Sequence, residues 1–383
     1  MKQRGNSNKK KGKTSRKHRE AIPDTSEAST RQRSYQAPQV PDTSEASTIM
    51  KYTWIILLLV FTSFTTTDGN TDPCCENPAV WGFYGHKRLN ELAVYTLPEE
   101  IFGFYKSNMD FLIEHSVDPD KRRYGVKGEA ECHYIDMDRY CFDSAGCDPF
   151  KNVPKHWNDA VAMYTEDTLR AHGIVPWHVN LMVYKLTKAF KEENLSRILH
   201  LSAELGHYVG DSHVPLHTTS NYNGQKTGQR GIHGFWESRV PELYDNQYDF
   251  FVGKAEYVRS PLDLIWTKIR GSYAAVDSVL GFERQLNETF PSDQKYSYEV
   301  RGQAQLKVYS EDYTNAYHQM LNGQVERRMK SAVITIGSLW YTAWVDAGQP
   351  DLSKFYNVKD IIALSDEDLS PNKPDSLRIR DHE

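Results

Sequence analysis

The stretch "LSRILHLSAELGHYVGDSHVPLH", residues 195–217, combines a helical pattern with a high density of potential metal ligands. Pro215 ends the regular pattern, because proline removes a backbone donor and clashes with the preceding turn. Residues 200–217 hold four histidines and one aspartate. The stretch therefore predicts a helix over 195–210 that carries a cation site. The positions that follow helical spacing are Leu195, Ile198, Leu199, Ser202, Leu205 and Val209.

Other long stretches share this helical pattern, and strand-like alternation is rare. The segment "TTSNYNGQKTGQRG", residues 218–231, has the composition of a loop. No GxGxxG, P-loop or GxSxG motif is present. The sequence predicts an all-α, multi-helix single domain over 71–365, followed by a polar tail at 366–383. The further amphipathic stretches are 88–107, 156–172, 178–193 and 322–345.

The chain begins with two segments that differ from this domain. Residues 1–49 are polar and repeat "PDTSEAST", a composition typical of disordered low-complexity sequence. A basic nucleic-acid-binding arm is the alternative. Residues 50–70 have Lys51 before an apolar run and predict a signal peptide, with Met50 as an alternative start. The run is short for a membrane span, although an uncleaved anchor is an alternative. We expect a secreted or periplasmic/extracellular protein.

The charge is unevenly distributed along the chain. The net charge is −5, yet residues 1–49 carry eleven Lys/Arg against five Asp/Glu, a net of +6. Residues 50–69 are neutral, so the remaining residues carry −11. An acidic body does not favour a surface that binds polyanions. It does suit a site rich in cation ligands.

Five cysteines follow the apolar run, and an exported protein is expected to oxidise some of them. Cys141 and Cys147 flank the short stretch "CFDSAGC" and could close it as a disulfide. No CxxC pair is present, which argues against a thiolate zinc site.

Two carboxylate–imidazole pairs lie close together in the chain. His207 and Asp211 are four residues apart, and so are His233 and Glu237. Residues four apart on a helix leave the same face. One such pair is usually a solvated contact, but two pairs on either side of His217 indicate a metal site of the zinc type.

Upstream motifs extend this set. "WGFYGH" supplies Trp81 and His86, and "CHYIDMD" supplies His133. "HSVDPDKRRY" supplies Asp118 or Asp120. The combination W-x4-H, D-x14-H, H-x3-D-x5-H and H-x3-E, in this order, resembles the superfamily of zinc-dependent phospholipases C and single-strand-specific zinc nucleases.

The resemblance implies three zinc ions (Zn2+) in a cleft among helices. In the family the tryptophan is the mature N-terminal residue, whereas "TDPCCENPAV" precedes Trp81 here. Either a second processing step frees Trp81, or the third zinc is held differently. The implied ligands are Asp118 (with Asp120 as the alternative), His133, His207 and a bridging Asp211 for the first zinc; His217, His233 and Glu237 for the second; and Trp81, His86 and Asp211 for the third.

The resemblance also implies an activity, the hydrolysis of phosphodiesters by metal-activated hydroxide. Asp118 and Asp211 would be catalytic, and Arg122 or Arg123 would hold a phosphate oxygen. Glu237 favours a phospholipid substrate and phospholipase C activity. The alternatives are a single-strand nuclease or 3′-nucleotidase, in which Tyr134 and Asp136 contact the substrate, and a non-catalytic secreted zinc-binding protein. His200 and His213 have no role in the family and are expected to be structural or exposed.

Overall fold

The computed structural model describes residues 83–141 and 147–355. These all belong to one compact unit, Cys74–Glu383. The segment 1–49, the predicted signal peptide at 50–70, Trp81 and the predicted tail at 366–383 lie outside the described residues.

The described residues are mainly helical, which confirms the all-α prediction. Short 3₁₀ turns link several helices, and two of these turns, Ala130–His133 and Pro215–Thr218, carry candidate ligands. The helices are α1 Phe83–Val94, α2 Glu99–Ser107, α3 Met109–His115, α4 Asp118–Arg122, α5 Pro149–Asn152, α6 Trp157–Tyr164, α7 Glu166–Ala171, α8 Val175–Lys191, α9 Leu195–Asp211, α10 Ile232–Gly234, α11 Val240–Tyr244, α12 Pro261–Tyr273, α13 Val276–Thr289, α14 Glu311–Leu321 and α15 Gln324–Asp346.

Helix α9 forms the centre of the fold. It begins where the side chain of Asn194 accepts a hydrogen bond from the backbone N–H of Arg197, an N-cap contact that satisfies a free donor of the first turn. The helix packs against α1, α3, α8 and α15. Every residue from Ile198 to Asp211 is buried. A helix buried on all sides must place its polar side chains against partners, because unpaired polar groups are costly in the interior.

Those polar side chains form a stripe along one face of α9. His200, Glu204, His207 and Asp211 follow each other at intervals of four, three and four residues. This spacing keeps them on one face. All four are buried. The stripe therefore determines where the ionisable groups of the fold come together.

Two glycines let α1 approach the same helix closely. A Cβ atom on Gly206 would lie 2.7 Å from both Cγ and Nδ2 of Asn90 on α1. A Cβ atom on Gly210 would lie 3.0 Å from Nδ1 of His86. Larger residues would force the two helices apart and carry His86 away from Asp211.

Two of the predicted helical stretches are divided. The stretch 88–107 becomes the end of α1 and the whole of α2, because Pro98 caps the start of α2 in an extended conformation. The stretch 156–172 becomes α6 and α7, separated at Thr165, which has a φ of 68°. The stretches 178–193, 195–210 and 322–345 correspond to α8, α9 and α15.

The remaining structure is irregular apart from one hairpin. Strands β1 Tyr296–Arg301 and β2 Ala304–Tyr309 pair antiparallel. Cys141 and Cys147 form a disulfide, as expected, whereas Cys132 is a buried thiol. None of the helices within the described ranges combines the length and hydropathy needed to cross a bilayer.

Candidate metal centre

Asp211, the last residue of α9, is at the centre of the candidate site and is 1% exposed. Its Oδ1 atom lies 3.3 Å from Nε2 of His86 and 3.7 Å from Nε2 of His217. Its Oδ2 atom lies 3.0 Å from Nδ1 of His133 and 3.4 Å from Nε2 of His207. The two oxygens of one carboxylate thus face two different pairs of imidazoles.

The first group of potential ligands contains His133, His207 and Asp211, whose ligand atoms lie within 4.8 Å of one another. His133 reaches α9 from the 3₁₀ turn Ala130–His133. Asp120 completes this side, since its Oδ1 atom lies 3.7 Å from both His133 Nδ1 and His207 Nε2.

The second group contains His217, His233 and Glu237. The turn after Pro215 positions His217, and a π-helical turn, Phe235–Arg239, positions Glu237. Glu237 Oε2 lies 2.7 Å from His233 Nε2 and 3.5 Å from His217 Nε2. The i, i+4 pair of the sequence is therefore present in space, with His217 beside it.

His86 links the two groups. Its Nε2 atom faces Asp211 and also lies 3.5 Å from Oε1 of Glu237. Its ring stacks on the ring of His207, with 3.8 Å between the centroids. His86, Asp211 and Glu237 form a third group of potential ligands.

Backbone carbonyls fix the orientation of three imidazoles. A carbonyl oxygen only accepts, so the nitrogen that faces it must carry the hydrogen and the other nitrogen keeps a free lone pair. This is the tautomer that a metal ligand requires, and partners of this kind usually orient metal-binding histidines. The three Nδ1 atoms and their acceptors are His207 to Ser116 O at 2.9 Å, His217 to His133 O at 2.7 Å, and His233 to Tyr222 O at 3.1 Å.

The buried charges oppose one another across the centre. Burial raises the pKa of the Asp211 carboxyl, but His207, His217 and further hydrogen-bonding histidines outweigh burial and hold that pKa well below its usual range. The pKa of Glu237 is lowered well below its usual value in the same way. Burial lowers the pKa of His207 to about 3. Burial opposes protonation of His86 and His133, but their carboxylate partners outweigh it and raise both pKa values, so zinc binding would release protons from these two rings.

Asp120, rather than Asp118, lies at this centre, which differs from the assignment favoured by motif spacing. Asp118 Oδ2 lies 2.6 Å from His115 Nδ1, and its Oδ1 accepts from Lys121 at 2.9 Å. The two aspartates lie two residues apart at the start of α4 and therefore leave the helix in different directions.

Arg122 turns away from the metal groups. Its guanidinium donates to the carboxylates of Glu129 and Glu204 and to the hydroxyl of Tyr208. Those two carboxylates are buried, and Glu129 also accepts from Tyr208. These contacts engage the guanidinium of Arg122 within a buried ion network, and its expected role in holding a phosphate stays a prediction.

Arg123 has the opposite environment. Its Nη1 atom lies 3.9 Å from Oδ1 of Asp120. Its Nε and Nη2 atoms are buried and have no hydrogen-bond partner among the described residues. Because a buried guanidinium without partners is costly, these donors indicate a place for an anionic ligand.

Tyr134 and Asp136, which contact the substrate in the nuclease alternative, are both buried. Tyr134 is 2% exposed, and its ring packs against Gly173. Asp136 is also buried, and its backbone N–H donates to the carbonyl of His172. Neither belongs to a group of potential ligands within the described residues.

The sequence interpretation missed two carboxylates beside the centre. Glu129 Oε1 lies 3.4 Å from Nε2 of His133, and it can orient this ring as the carbonyls orient the others. Glu204 holds Arg122 and lies three residues before His207. Glu204 lies four residues after His200 and three before His207, and this helical spacing is a signal that could have identified it.

No protein-family model matches the chain, and no curated protein matches it. Among solved structures, the alpha-toxin of Clostridium perfringens from avian strain SWCP is similar, with 14% sequence identity and a TM-score of 0.40. The match covers 75% of this chain and 68% of that chain.

Proposed function

We propose that this protein is a zinc-dependent phosphodiester hydrolase. The observation that carries the proposal is the position of Asp211, whose two oxygens face two different pairs of imidazoles. A structural zinc site is normally closed and holds one metal ion. A buried carboxylate shared between ligand groups instead suits a multinuclear centre, which favours an enzyme over a non-catalytic zinc-binding protein.

The side chains present fit zinc in type. Five imidazoles and three carboxylates converge, and oxygen and nitrogen are both ligands of zinc. In the three fixed tautomers Nε2 of His207, His217 and His233 carries no hydrogen, as a zinc ligand requires. The proposed ligands are His86, Asp120, His133, His207, Asp211, His217, His233 and Glu237. Trp81 remains a proposed ligand from the sequence alone.

Two residues beside the ligand groups are suited to act on a substrate. Zinc bound there would supply positive charge beside a phosphodiester and lower the pKa of water. Asp120 is 24% exposed, so its carboxylate can reach a solvent molecule and accept a proton from it. The free donors of Arg123 can bind a non-bridging phosphate oxygen.

Within this class we propose a phospholipid substrate, with single-stranded nucleic acid as the second candidate. Residues 70–383 carry a net charge of −11, which opposes the approach of a polyanion. A zwitterionic headgroup does not experience this long-range repulsion. Tyr134, a substrate contact in the nuclease alternative, is buried, which disfavours stacking of its ring on a base.

The experiment compares two substrates on one zinc-loaded preparation of the mature protein. Short-chain phosphatidylcholine should be hydrolysed faster than single-stranded DNA, and Asp211→Asn should abolish most of either activity without unfolding the protein. Faster cleavage of DNA would assign the protein to the nucleases and leave the ligand assignments intact. No hydrolysis of either substrate by a protein that binds several zinc ions would favour the non-catalytic alternative.

Export through residues 50–70 and the domain boundaries at 71 and 365 are part of this proposal. They rest on the sequence pattern. N-terminal sequencing of the mature protein tests both the cleavage position and the availability of the Trp81 amine.

A further inference from the structure

A second cluster of metal-binding side chains lies outside the Asp211 centre. His115 at the end of α3, Asp118 at the start of α4 and His200 on α9 each offer one ligand atom, and these atoms lie within 4.8 Å of one another. His200 belongs to the polar stripe of α9, two turns before His207.

The distances are close to those of a zinc site. Bonds of about 2.0–2.1 Å in a tetrahedral site place neighbouring ligand atoms about 3.3 Å apart. His115 Nδ1 and Asp118 Oδ2 are 2.6 Å apart, and no pair in the cluster exceeds 4.8 Å. Small side-chain rotations that shift the ligand atoms by about 1 Å would bring the three atoms to the separation of a tetrahedral site. A solvent molecule can complete the coordination.

The aromatic ring of Phe111 supports both imidazoles. It stacks on the ring of His115 with 4.0 Å between centroids, and it meets the ring of His200 edge-on at 4.8 Å. Packing of this kind restricts the orientation of the rings before any ligand binds. Lys121 donates to Oδ1 of Asp118, and its side chain is half exposed, so it can withdraw from the carboxylate.

We propose that His115, Asp118 and His200 bind a separate divalent cation of the zinc class, and that this cation fastens the segment 115–120 to α9. Two imidazoles and one carboxylate favour zinc and similar transition metals over calcium or magnesium. The segment contributes the Ser116 carbonyl that orients His207, and it contributes Asp120. The cation would therefore stabilise one side of the Asp211 centre without entering it.

The test counts metal equivalents per chain, with Zn2+ and Co2+ as probes and a chromophoric chelator as competitor. His115→Ala and Asp118→Asn should each bind one equivalent fewer than wild type. His156→Ala, which removes an exposed histidine outside the clusters, is the matched control and should bind as wild type does. Lys121→Ala should bind the cluster's equivalent about two- to fivefold more tightly, because a competing surface cation is removed.

Hydrogen exchange tests whether the cation holds the segment 115–120 against α9. Saturation with Zn2+ should slow amide exchange in residues 115–120 of wild type more than in the same residues of His115→Ala, which lacks the equivalent bound by the cluster. Unchanged stoichiometry in a folded His115→Ala variant, together with unchanged affinity in Lys121→Ala, would overturn the proposal and leave the Asp211 centre untouched. Conversely, a wild type that binds a single equivalent, lost in His115→Ala, would support this site and contradict the proposed function.

Discussion

Arg123 places its Nη1 atom 3.9 Å from Oδ1 of Asp120, three residues earlier on the chain. One turn of helix therefore presents a guanidinium and a carboxylate together at the edge of the candidate metal centre. Asp120 lies 3.7 Å from two candidate ligands, whereas Arg123 retains buried donors without partners. In the proposed function the pair would place an acceptor for a proton beside donors for a phosphate oxygen.

Replacement of Asp120 by asparagine should lower kcat for phosphodiester hydrolysis by about 100-fold or more, the range for loss of a positioned base. The amide keeps the shape but cannot accept the proton or contribute charge. Asp159→Asn, at an exposed position of α6, is the matched control and should behave as wild type, whereas Asp118→Asn should lower kcat by less than about tenfold. Steady-state kinetics with excess zinc would measure all three, and a larger loss in Asp118→Asn would restore the assignment favoured by motif spacing.

Replacement of Arg123 by glutamine should lower kcat/KM by about ten- to a hundredfold, because a hydrogen bond from a charged donor to the substrate is lost. The zinc content should not change, since arginine is not a ligand. Arg284→Gln, on the exposed side of α13, should behave as wild type. Equal kcat/KM in Arg123→Gln and Arg284→Gln would exclude a role for Arg123 in substrate binding.

The sequence predicted what depends on local spacing. The ends of α9 followed from the apolar pattern of 195–210, and the i, i+4 pairs correctly brought His207 beside Asp211 and His233 beside Glu237. A period of 3.6 residues determines the helix and its His207–Asp211 pair without reference to the rest of the fold, whereas the His233–Glu237 pair spans a π-helical turn that this period does not predict.

The choice between adjacent residues could not be predicted in this way. Asp118 and Asp120, like Arg122 and Arg123, have the same chemistry and differ only in the direction in which α4 presents them. That direction depends on the packing of α4 against α9, where Glu204 binds Arg122 and thereby leaves Arg123 to face Asp120. Tertiary contacts of this kind have no signal in a single sequence.

Replacement of Arg122 by methionine should destabilise the protein by about 3–5 kcal/mol, because Glu129 and Glu204 lose the cation between them while remaining buried. Urea unfolding of zinc-free protein would measure the change. Adding Glu204→Gln to Arg122→Met should recover part of the loss, since one uncompensated charge is removed. A stability within about 0.5 kcal/mol of wild type would contradict the buried network.

Replacement of Gly206 by alanine should destabilise the protein by about 1–3 kcal/mol, the usual cost of excess volume in a packed interior. The added Cβ would meet the side chain of Asn90, which is itself fixed by a hydrogen bond to the carbonyl of His86. Gly281→Ala on α13 is the control, because nothing lies within 4 Å of its Cβ. That change should be neutral or stabilising by up to about 1 kcal/mol. Equal stabilities of the two variants would show that α1 and α9 are not in such close contact.

His178 should make the protein less stable in acid. It is buried in α8, edge-on to Tyr208 at 4.4 Å, and its Nε2 atom has no hydrogen-bond partner among the described residues. Burial, with smaller contributions from Lys185 and other nearby cations, lowers its pKa from 6.5 to about 3. Above pH 6.5 the imidazole is neutral in both states and has no effect.

As the pH falls from 6.5 toward 3, the unfolded chain binds a proton that the folded chain does not, so stability is lost across this window. At pH 5 the loss from His178 amounts to about 2 kcal/mol, at 1.36 kcal/mol per pH unit. His178→Phe retains a ring against Tyr208 but cannot titrate. Its free energy of unfolding relative to wild type should therefore rise by about 2 kcal/mol between pH 7.5 and pH 5. Urea unfolding of both proteins at pH 7.5 and at pH 5 measures this difference. Any acid-dependent loss of stability from the candidate metal centre cancels, because both proteins share that centre. A difference independent of pH would show that His178 is protonated in the folded state or accessible to solvent.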